Sequence, residues 1–395
     1  MDYKFSDRIS SLQPSAIREI LKVTADPRVI SFAAGNPAAD TFPDKEMAAI
    51  AADIFANSAA RALQYGVSEG YDPLRKVTFD RLKAKFNVGR EFDDLLIVSG
   101  GQQGIELSAK CFINEGDMVL CEEPSFIGAL NALRSYGMTL KGVPCDEQGM
   151  RMDVLEEILA QNPNVKLIYT IPTFQNPSGI TLPLERRKQM LALAEKYGVM
   201  ILEDSPYFEL RYEGEYVPPI KALDEAGVVI YCGSYSKTIS PGIRLGFVCA
   251  PKTVTAKITV AKQVSDVHSN LFFQMLVTEY LTKYDFDAHI AENCAIYKAK
   301  RDKMVECLRK YCPQLKFTVP EGGLFLWCTL PEGKDGMELC RLAGLRGVAA
   351  VPGCSFMVDD KAVSNTIRLN FSLPTMEQLE KGSKLLGEAL TEYLG

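Results

Sequence analysis

The chain changes rhythm near residue 95. From there short apolar runs recur without alternation: Leu95-Leu96-Ile97-Val98, Met118-Val119-Leu120-Cys121, Lys166-Leu167-Ile168-Tyr169-Thr170, Val199-Met200-Ile201-Leu202, and Val228 to Cys232. Helical patterns separate them, one running to Phe112, one starting from about Ser125 and one around 184–197. Strands that are apolar on both sides belong to a mostly parallel sheet covered on two faces, since a half-solvated strand would alternate. The pattern therefore predicts an α/β fold. Ligands of such sheets sit beyond the carboxyl ends of the strands. Glycine and polar clusters fall there: Ser99–Gly104, Glu122–Phe126, Pro172–Gly179, Glu203–Tyr207 and Gly233–Lys237. Five such loops on one edge predict one shared site.

The flanks read differently. A short amphipathic piece spans 15–21, with Ser15 as its cap. Val29 to Phe32 forms a short strand that runs into a Gly35-Asn36-Pro37 turn. Residues 44–57 and 72–86 are helical, and Leu63-Gln64-Tyr65-Gly66 between them is too short to be helix or strand. Residues 252–310 read as helices, the last one long. After Pro320-Glu321-Gly322-Gly323 the chain turns α+β. A strand at 324–327 and a helix near 335–346 precede an alternating stretch at 366–371 and a terminal helix ending near Tyr393. This part is expected to be a second domain joined by the N-terminal segment. There is no internal repeat.

Composition narrows the function class. The 395 residues are 47% hydrophobic and 24% charged, as in a soluble globular protein of two or three domains. The net charge is −6, with no basic block, so neither nucleic acid nor an anionic membrane is expected as a partner. No apolar run approaches the ~20 residues of a membrane span, and the N-terminus has no signal-peptide core. The eleven cysteines are scattered, without a Cys-x-x-Cys pair. They read as small buried hydrophobes in a reducing compartment, and a cytoplasmic location is expected. The two histidines, His268 and His289, have no ligand cluster around them, which argues against zinc and against a Ser-His-Asp triad.

The richest loop is Gly233 to Gly246. It holds Ser234, Ser236, Lys237 and Arg244 among several glycines. Hydroxyls, a guanidinium fork and glycine backbone suit a phosphate. Lys237 could be a phosphate contact, a covalent anchor for an aldehyde, or an ordinary surface lysine. The loop at Gly100–Gly104 opens a helix and so suits a phosphate, but it carries neither a dinucleotide fingerprint nor a Walker motif. Asp204 ends a buried strand, and such a carboxylate either caps the next segment or faces a cation such as a protonated ring nitrogen. Asn176 and Tyr207 could donate to a ring oxygen. Phe126 could stack on a flat ring or belong to the core.

Taken in order, Ser99-Gly-Gly-Gln-Gln-Gly104, Glu123-Pro-Ser-Phe126, Gln175-Asn-Pro-Ser-Gly179, Glu203-Asp-Ser-Pro-Tyr207, Gly233-Ser-Tyr-Ser-Lys237 with Arg244, and Ile367-Arg368 span nearly the whole chain. Together they resemble the fold type I pyridoxal-phosphate aminotransferases of class I/II, in the branch of the α-aminoadipate, kynurenine and aromatic enzymes. The resemblance implies a mostly parallel seven-stranded sheet in a large domain, 46–300, a small α+β domain, 301–395, and an N-terminal segment, 1–45, packing on the small domain and the site. It implies that Lys237 anchors the cofactor and moves the substrate proton. Asp204 would face the ring nitrogen, Asn176 and Tyr207 the ring oxygen, and Phe126 a ring face, where many relatives carry tyrosine. The backbones of Gly101 and Gln102, with Ser234, Ser236 and Arg244, would hold the phosphate, joined by Tyr65 from the other subunit of a homodimer. Arg368, Asn176 and the Gly35 backbone would grip the substrate α-carboxylate, and Arg18 its side chain. The implied reaction is ping-pong transfer from an L-amino acid to a 2-oxo acid, with 2-oxoglutarate as the expected acceptor. The rivals are a lyase on the same scaffold and an effector-sensing domain of the MocR type. The second conflicts with a pattern that begins within the first few tens of residues.

Overall fold

The structure, a computed structural model, describes residues 3–10, 12, 28–359 and 361–395. The piece at 15–21, with Ser15 and Arg18, lies outside the described residues.

Seven strands form the main sheet: β1 (Asp93–Val98), β2 (Met118–Glu123), β3 (Thr139–Asp146), β4 (Val165–Thr170), β5 (Met200–Ser205), β6 (Val229–Ser234) and β7 (Gly246–Pro251). Their order is β1-β7-β6-β5-β4-β2-β3, and a two-residue strand, Gly149–Met150, adds an eighth at the β3 edge. The strands from β6 to β3 pair in parallel, while β7 is antiparallel to both its neighbours. The mostly parallel sheet expected from the unbroken apolar runs is therefore present. Successive residues bury on opposite sides: Leu96 and Val98 join one core cluster with Ile230 and Cys232, while Leu95 and Ile97 join another with Tyr231. That two-sided burial is why the runs do not alternate.

The edge strand β3 was not among the apolar runs. Its sequence, Thr-Leu-Lys-Gly-Val-Pro-Cys-Asp, is mostly half-exposed. Lysine and proline are tolerated there because no further long strand needs its outer hydrogen bonds.

The reversed strand β7 has a consequence for function. The carboxyl ends of the parallel strands meet the amino end of β7, so the loop before β7 reaches the same edge. Gly246 pairs there with Val98 of β1 and with Ser234 of β6. A side chain at Gly246 would lie 2.7 Å from the Gly233 carbonyl oxygen and 3.0 Å from the Gly101 nitrogen. Only glycine lets the three loops close up.

The flanking helices match the expected ranges at Asp44–Asn57, Asp72–Phe86 and Leu184–Tyr197. Three helices, Lys252–Gln263, Leu271–Lys283 and the long Phe286–Tyr311, lead to the C-terminal part. There β8 (Lys316–Phe317), β9 (Phe325–Thr329), β10 (Val351–Pro352) and β11 (Thr366–Asn370) form an antiparallel sheet, ordered β8-β9-β11-β10. Ile30-Ser31 pairs in parallel with Val348-Ala349, tying the N-terminal segment to this part. No disulfide occurs among the described residues. Among the described residues no metal-binding group and no membrane-spanning helix occurs.

The opposite edge of the sheet is pinned by a buried ion triad. Lys221 Nζ lies 2.8 Å from Asp93 at the start of β1 and 2.9 Å from Asp224. Asp224 in turn accepts from the backbone of Gly227, Val228 and Val229, which fixes the start of β6. Removing one partner of a buried triad strands the others in a medium of low dielectric. Lys221→Met is expected to lower stability by about 3–5 kcal/mol, read from the midpoint of chemical unfolding.

Candidate active site

The loop after β6 is anchored from behind. The Tyr235 ring is buried among the sheet-side aromatic residues, its hydroxyl 2.6 Å from that of Thr78. Its backbone N–H donates to the Leu245 carbonyl and its carbonyl accepts from Ile239. With Tyr235 facing inward, Ser234, Ser236 and Lys237 line a cavity of about 310 Å³ at the strand ends. The Ser236 N–H donates to Ser234 Oγ, which tightens the turn. His289 adds a contact to the Thr238 carbonyl, so this histidine has a structural partner. The Lys237 amine donates to the Gly35 carbonyl at 2.7 Å. Burial, then Arg368 and Arg244, lower its pKa to about 8.

One wall is built for an anion. Helix Gly101–Phe112 starts at the cavity, so its first N–H groups and the positive end of its dipole face inward. Arg244, just before β7, adopts a left-handed conformation at φ 52. Its guanidinium is 3.2 Å from the Ser99 carbonyl and 3.5 Å from Ser236 Oγ. Gly100 at φ +85 makes room for it, since a Cβ there would sit 2.5 Å from Arg244 Nη2. The Gln102 side chain turns to the Gly128 carbonyl, which leaves its backbone to the cavity.

The floor is Asp204, inside β5 rather than at a helix start, so the capping alternative is set aside. It is buried, and burial raises its pKa to about 7 against the hydrogen bond from Tyr169. Phe126, Ile105 and Ile171 give apolar sides, and Asn176 and Tyr207 polar ones. Burial also pushes the Tyr207 hydroxyl up.

Arg368, on β11, closes the far end. It lies 4.2 Å over the Phe325 ring and 4.9 Å from that of Phe356. It donates to Asn176 Oδ1 at 2.9 Å and to the Ala33 carbonyl at 2.6 Å, while its Nε is buried without a partner. Burial lowers its pKa to about 10. An orphaned donor on a buried cation leaves a charge-assisted hydrogen bond open to an incoming anion such as a carboxylate.

Lys237, Asp204, Tyr207, Gly101, Gln102, Phe126, Asn176, Ser234, Ser236, Arg244, Gly35 and Arg368 all line this one cavity. Tyr65 does not: it is 80% exposed and edge-on to His268, lining a separate cleft. Arg18 lies outside the described residues. The motifs did not single out Tyr169, Phe325, Phe356, Ile105 or Ile171. The one available signal was a tyrosine inside an apolar strand, which needs a hydroxyl partner. The lining sets three cations, Lys237, Arg244 and Arg368, against one carboxylate, Asp204. A flat group carrying a phosphate, with a cationic ring nitrogen over Asp204 and an aldehyde at Lys237, fits this arrangement, and pyridoxal phosphate is such a group.

Comparison with known proteins agrees. Residues 27–385 match the family model described as aminotransferase class I and II. The chain is 41% identical to aromatic-amino-acid aminotransferase 1 of Thermococcus litoralis, over 100% of this chain and 96% of that protein. It is 38% identical to 2-aminoadipate transaminase of Thermus thermophilus, over 99% and 97%. The crystal structure of Pyrococcus horikoshii kynurenine aminotransferase with PMP and kynurenine superposes with a TM-score of 0.95, at 38% identity, over 99% of this chain and 98% of that one.

A lowered lysine pKa has a measurable consequence. In the cofactor-free protein, acylation of Lys237 by a neutral-amine reagent should rise through about pH 8, well below the ordinary lysine range. In Arg368→Leu one repelling charge is gone, so the midpoint should move upward. Peptide mass spectrometry of the labelling rate against pH checks both.

Proposed function

The chain belongs to the class I and II aminotransferases, whose cofactor is pyridoxal phosphate, and we propose that it moves the amino group of an L-amino acid to 2-oxoglutarate through Lys237. The observation that carries the reading is one cavity holding the low-pKa amine of Lys237, the buried carboxylate of Asp204 and the orphaned guanidinium donor of Arg368.

The bound cofactor supplies an aldehyde and an electron-withdrawing pyridinium ring. The protein's residues then divide the work. Ser234, Ser236, Arg244 and the backbone at Gly101 and Gln102 hold the phosphate. Asp204 holds the ring nitrogen, Asn176 and Tyr207 the ring oxygen, and Phe126 covers one face without a hydroxyl of its own. Arg368, with Asn176 and Gly35, fixes the substrate carboxylate, and so points the substrate Cα toward the lysine. The Lys237 Nζ takes the Cα proton as general base and returns it as general acid. A pKa near 8 keeps a usable neutral fraction at physiological pH. Two amino-group transfers in turn give ping-pong kinetics. Arg18 is assigned to the second carboxylate of 2-oxoglutarate.

The site is read as shared between two copies of the chain. Tyr65, Val67 and Val267 are exposed, and the Tyr65 ring rests on His268. Two residues before it, Asp266 accepts from Ser99 Oγ and Gln103 beside the anion wall. This patch thus adjoins the cavity, and Tyr65 from one copy is assigned to the phosphate in the other. The large domain is taken as 46–300 and the small one as 301–395, with 1–45 against the latter. The pairing of Ile30-Ser31 with Val348-Ala349 supports that packing. A cytoplasmic location fits a set of cysteines among which no disulfide occurs.

Lys237→Ala is expected to lose the visible absorbance of lysine-linked cofactor and to lower turnover by roughly a thousandfold or more. Absorbance spectra and a coupled assay for glutamate formed from 2-oxoglutarate check this. A screen of amino acids against the cofactor-loaded protein, following conversion to the pyridoxamine form, identifies the donors. Ordinary turnover in Lys237→Ala would sink the assignment.

A further inference from the structure

We propose that Tyr169 is a positioning residue of this site, its hydroxyl orienting the Asp204 carboxylate and holding it ionised toward the cofactor's ring nitrogen. The inference rests on the reading of the cavity as a pyridoxal-phosphate site. Tyr169 lies on β4, fully buried, behind the cavity rather than in its wall. Its hydroxyl donates to Asp204 Oδ2 at 2.9 Å. Among the described residues it is the only donor to that carboxylate. The other oxygen, Oδ1, lies on the cavity side, 3.8 Å from where a side chain on Gly101 would begin. One oxygen is thus held from behind and the other is left for a ligand.

The need for such a donor follows from what surrounds Asp204. The titratable groups facing it are Glu122 of β2, Tyr169 of β4, Cys232 of β6 and Tyr207 beyond β5. All are acids, so none offers a positive charge. Glu122 is itself buried and is satisfied by Thr170, the Ile171 N–H and Gln175, not by Asp204. In this dry, acidic corner the neutral carboxylic acid would be the favoured form. A neutral Asp204 could not act as counter-ion to a protonated ring nitrogen, and the ring would lose its pull on electrons. The Tyr169 hydrogen bond favours the ionised form and blocks rotation of the carboxylate.

The test uses the full chain, stripped of cofactor and titrated with pyridoxal phosphate labelled at the ring nitrogen. Tyr169→Phe keeps the ring and its packing and removes only the donor. It is expected to bind the cofactor about tenfold more weakly near neutral pH, the loss of one charge-assisted hydrogen bond. Asp204 then keeps its proton to higher pH, so the deficit should shrink as pH rises. The nitrogen NMR signal should move toward that of the unprotonated ring. A ring-fluorinated tyrosine at position 169 keeps the fold and donates more strongly, so it should shift affinity and signal the other way. It also serves if Tyr169→Phe does not fold. If the unaltered protein does not bind pyridoxal phosphate with a protonated ring nitrogen, the reading of the site falls, and this inference with it. If it does bind so, but both substitutions leave affinity and nitrogen signal unmoved, only the role of Tyr169 is overturned. A lowered melting temperature with an unmoved nitrogen signal overturns it equally.

Discussion

The Lys237 amine sits where two guanidinium groups oppose its charge, and much of the surrounding structure is arranged to hold it there. Arg368 and Arg244 both press its pKa down, after burial. Like charges in a poorly solvated space would part unless each were tied to something else. Each is tied to backbone oxygen. Lys237 donates to Gly35, Arg368 to Ala33, and Arg244 to Ser99 and Pro241. These carbonyls solvate the cations without neutralising them. The excess positive charge therefore remains for anions that arrive from outside, on the proposed reading a phosphate at one end and a carboxylate at the other. The lowered pKa of the Lys237 amine, which the proposed reaction uses as a base, follows from burial and the same crowding.

The backbone that supplies those carbonyls comes from distant parts of the chain, and sheet topology brings it together. Parallel strands put Asp204, Ser234 and the loop holding Asn176 on one edge, and the reversed β7 delivers Arg244 to it. The N-terminal segment contributes Ala33 and Gly35, because Ile30-Ser31 pairs with Val348-Ala349. Arg368 stands on β11, whose partner strand β9 carries Phe325 beneath the guanidinium. A shift of the C-terminal sheet against the main sheet would thus move the Arg368 guanidinium relative to the lysine. Geometry at the reacting atoms depends on that packing as much as on the loops themselves.

Sequence carried the site in proportion to how locally each residue's role is written. Lys237, Ser234, Ser236 and Arg244 share one loop, and their joint chemistry can be read without the fold. Asp204 was ambiguous because a carboxylate at a strand end can also cap a helix; its place inside β5, with Tyr169 behind it, removes that alternative. Tyr169 was invisible as a functional residue, since a buried tyrosine in an apolar run looks like packing until its hydroxyl partner is known. Strand β3 escaped because an edge tolerates Lys141 and Pro144, which blur the apolar pattern. Tyr65 is exposed and lines a separate cleft of its own chain, and a role across a subunit boundary leaves no trace in the periodicity of one chain.

The same division of labour bears on selectivity. Among the described lining residues, the proposed reading gives every charged or strongly polar side chain except Gln102, which turns to the Gly128 carbonyl, to a group that all amino-acid substrates or the cofactor share. On the proposed reading Lys237 serves the reacting centre, Arg368 and Asn176 the α-carboxylate, and Asp204, Tyr207, Ser234, Ser236 and Arg244 the cofactor. Apart from Gln102, the side chains that remain are apolar: Ile105, Phe126, Ile171, Pro206, Pro241 and Phe325. Apolar walls discriminate by shape, at about 1–3 kcal/mol per methylene, whereas rejection through an unpaired polar group is far stronger. A site whose polar groups are all spent on common features selects its reaction sharply and its side chains softly. On the proposed reading, breadth toward amino-acid donors would follow from where this chain has placed its few buried charges.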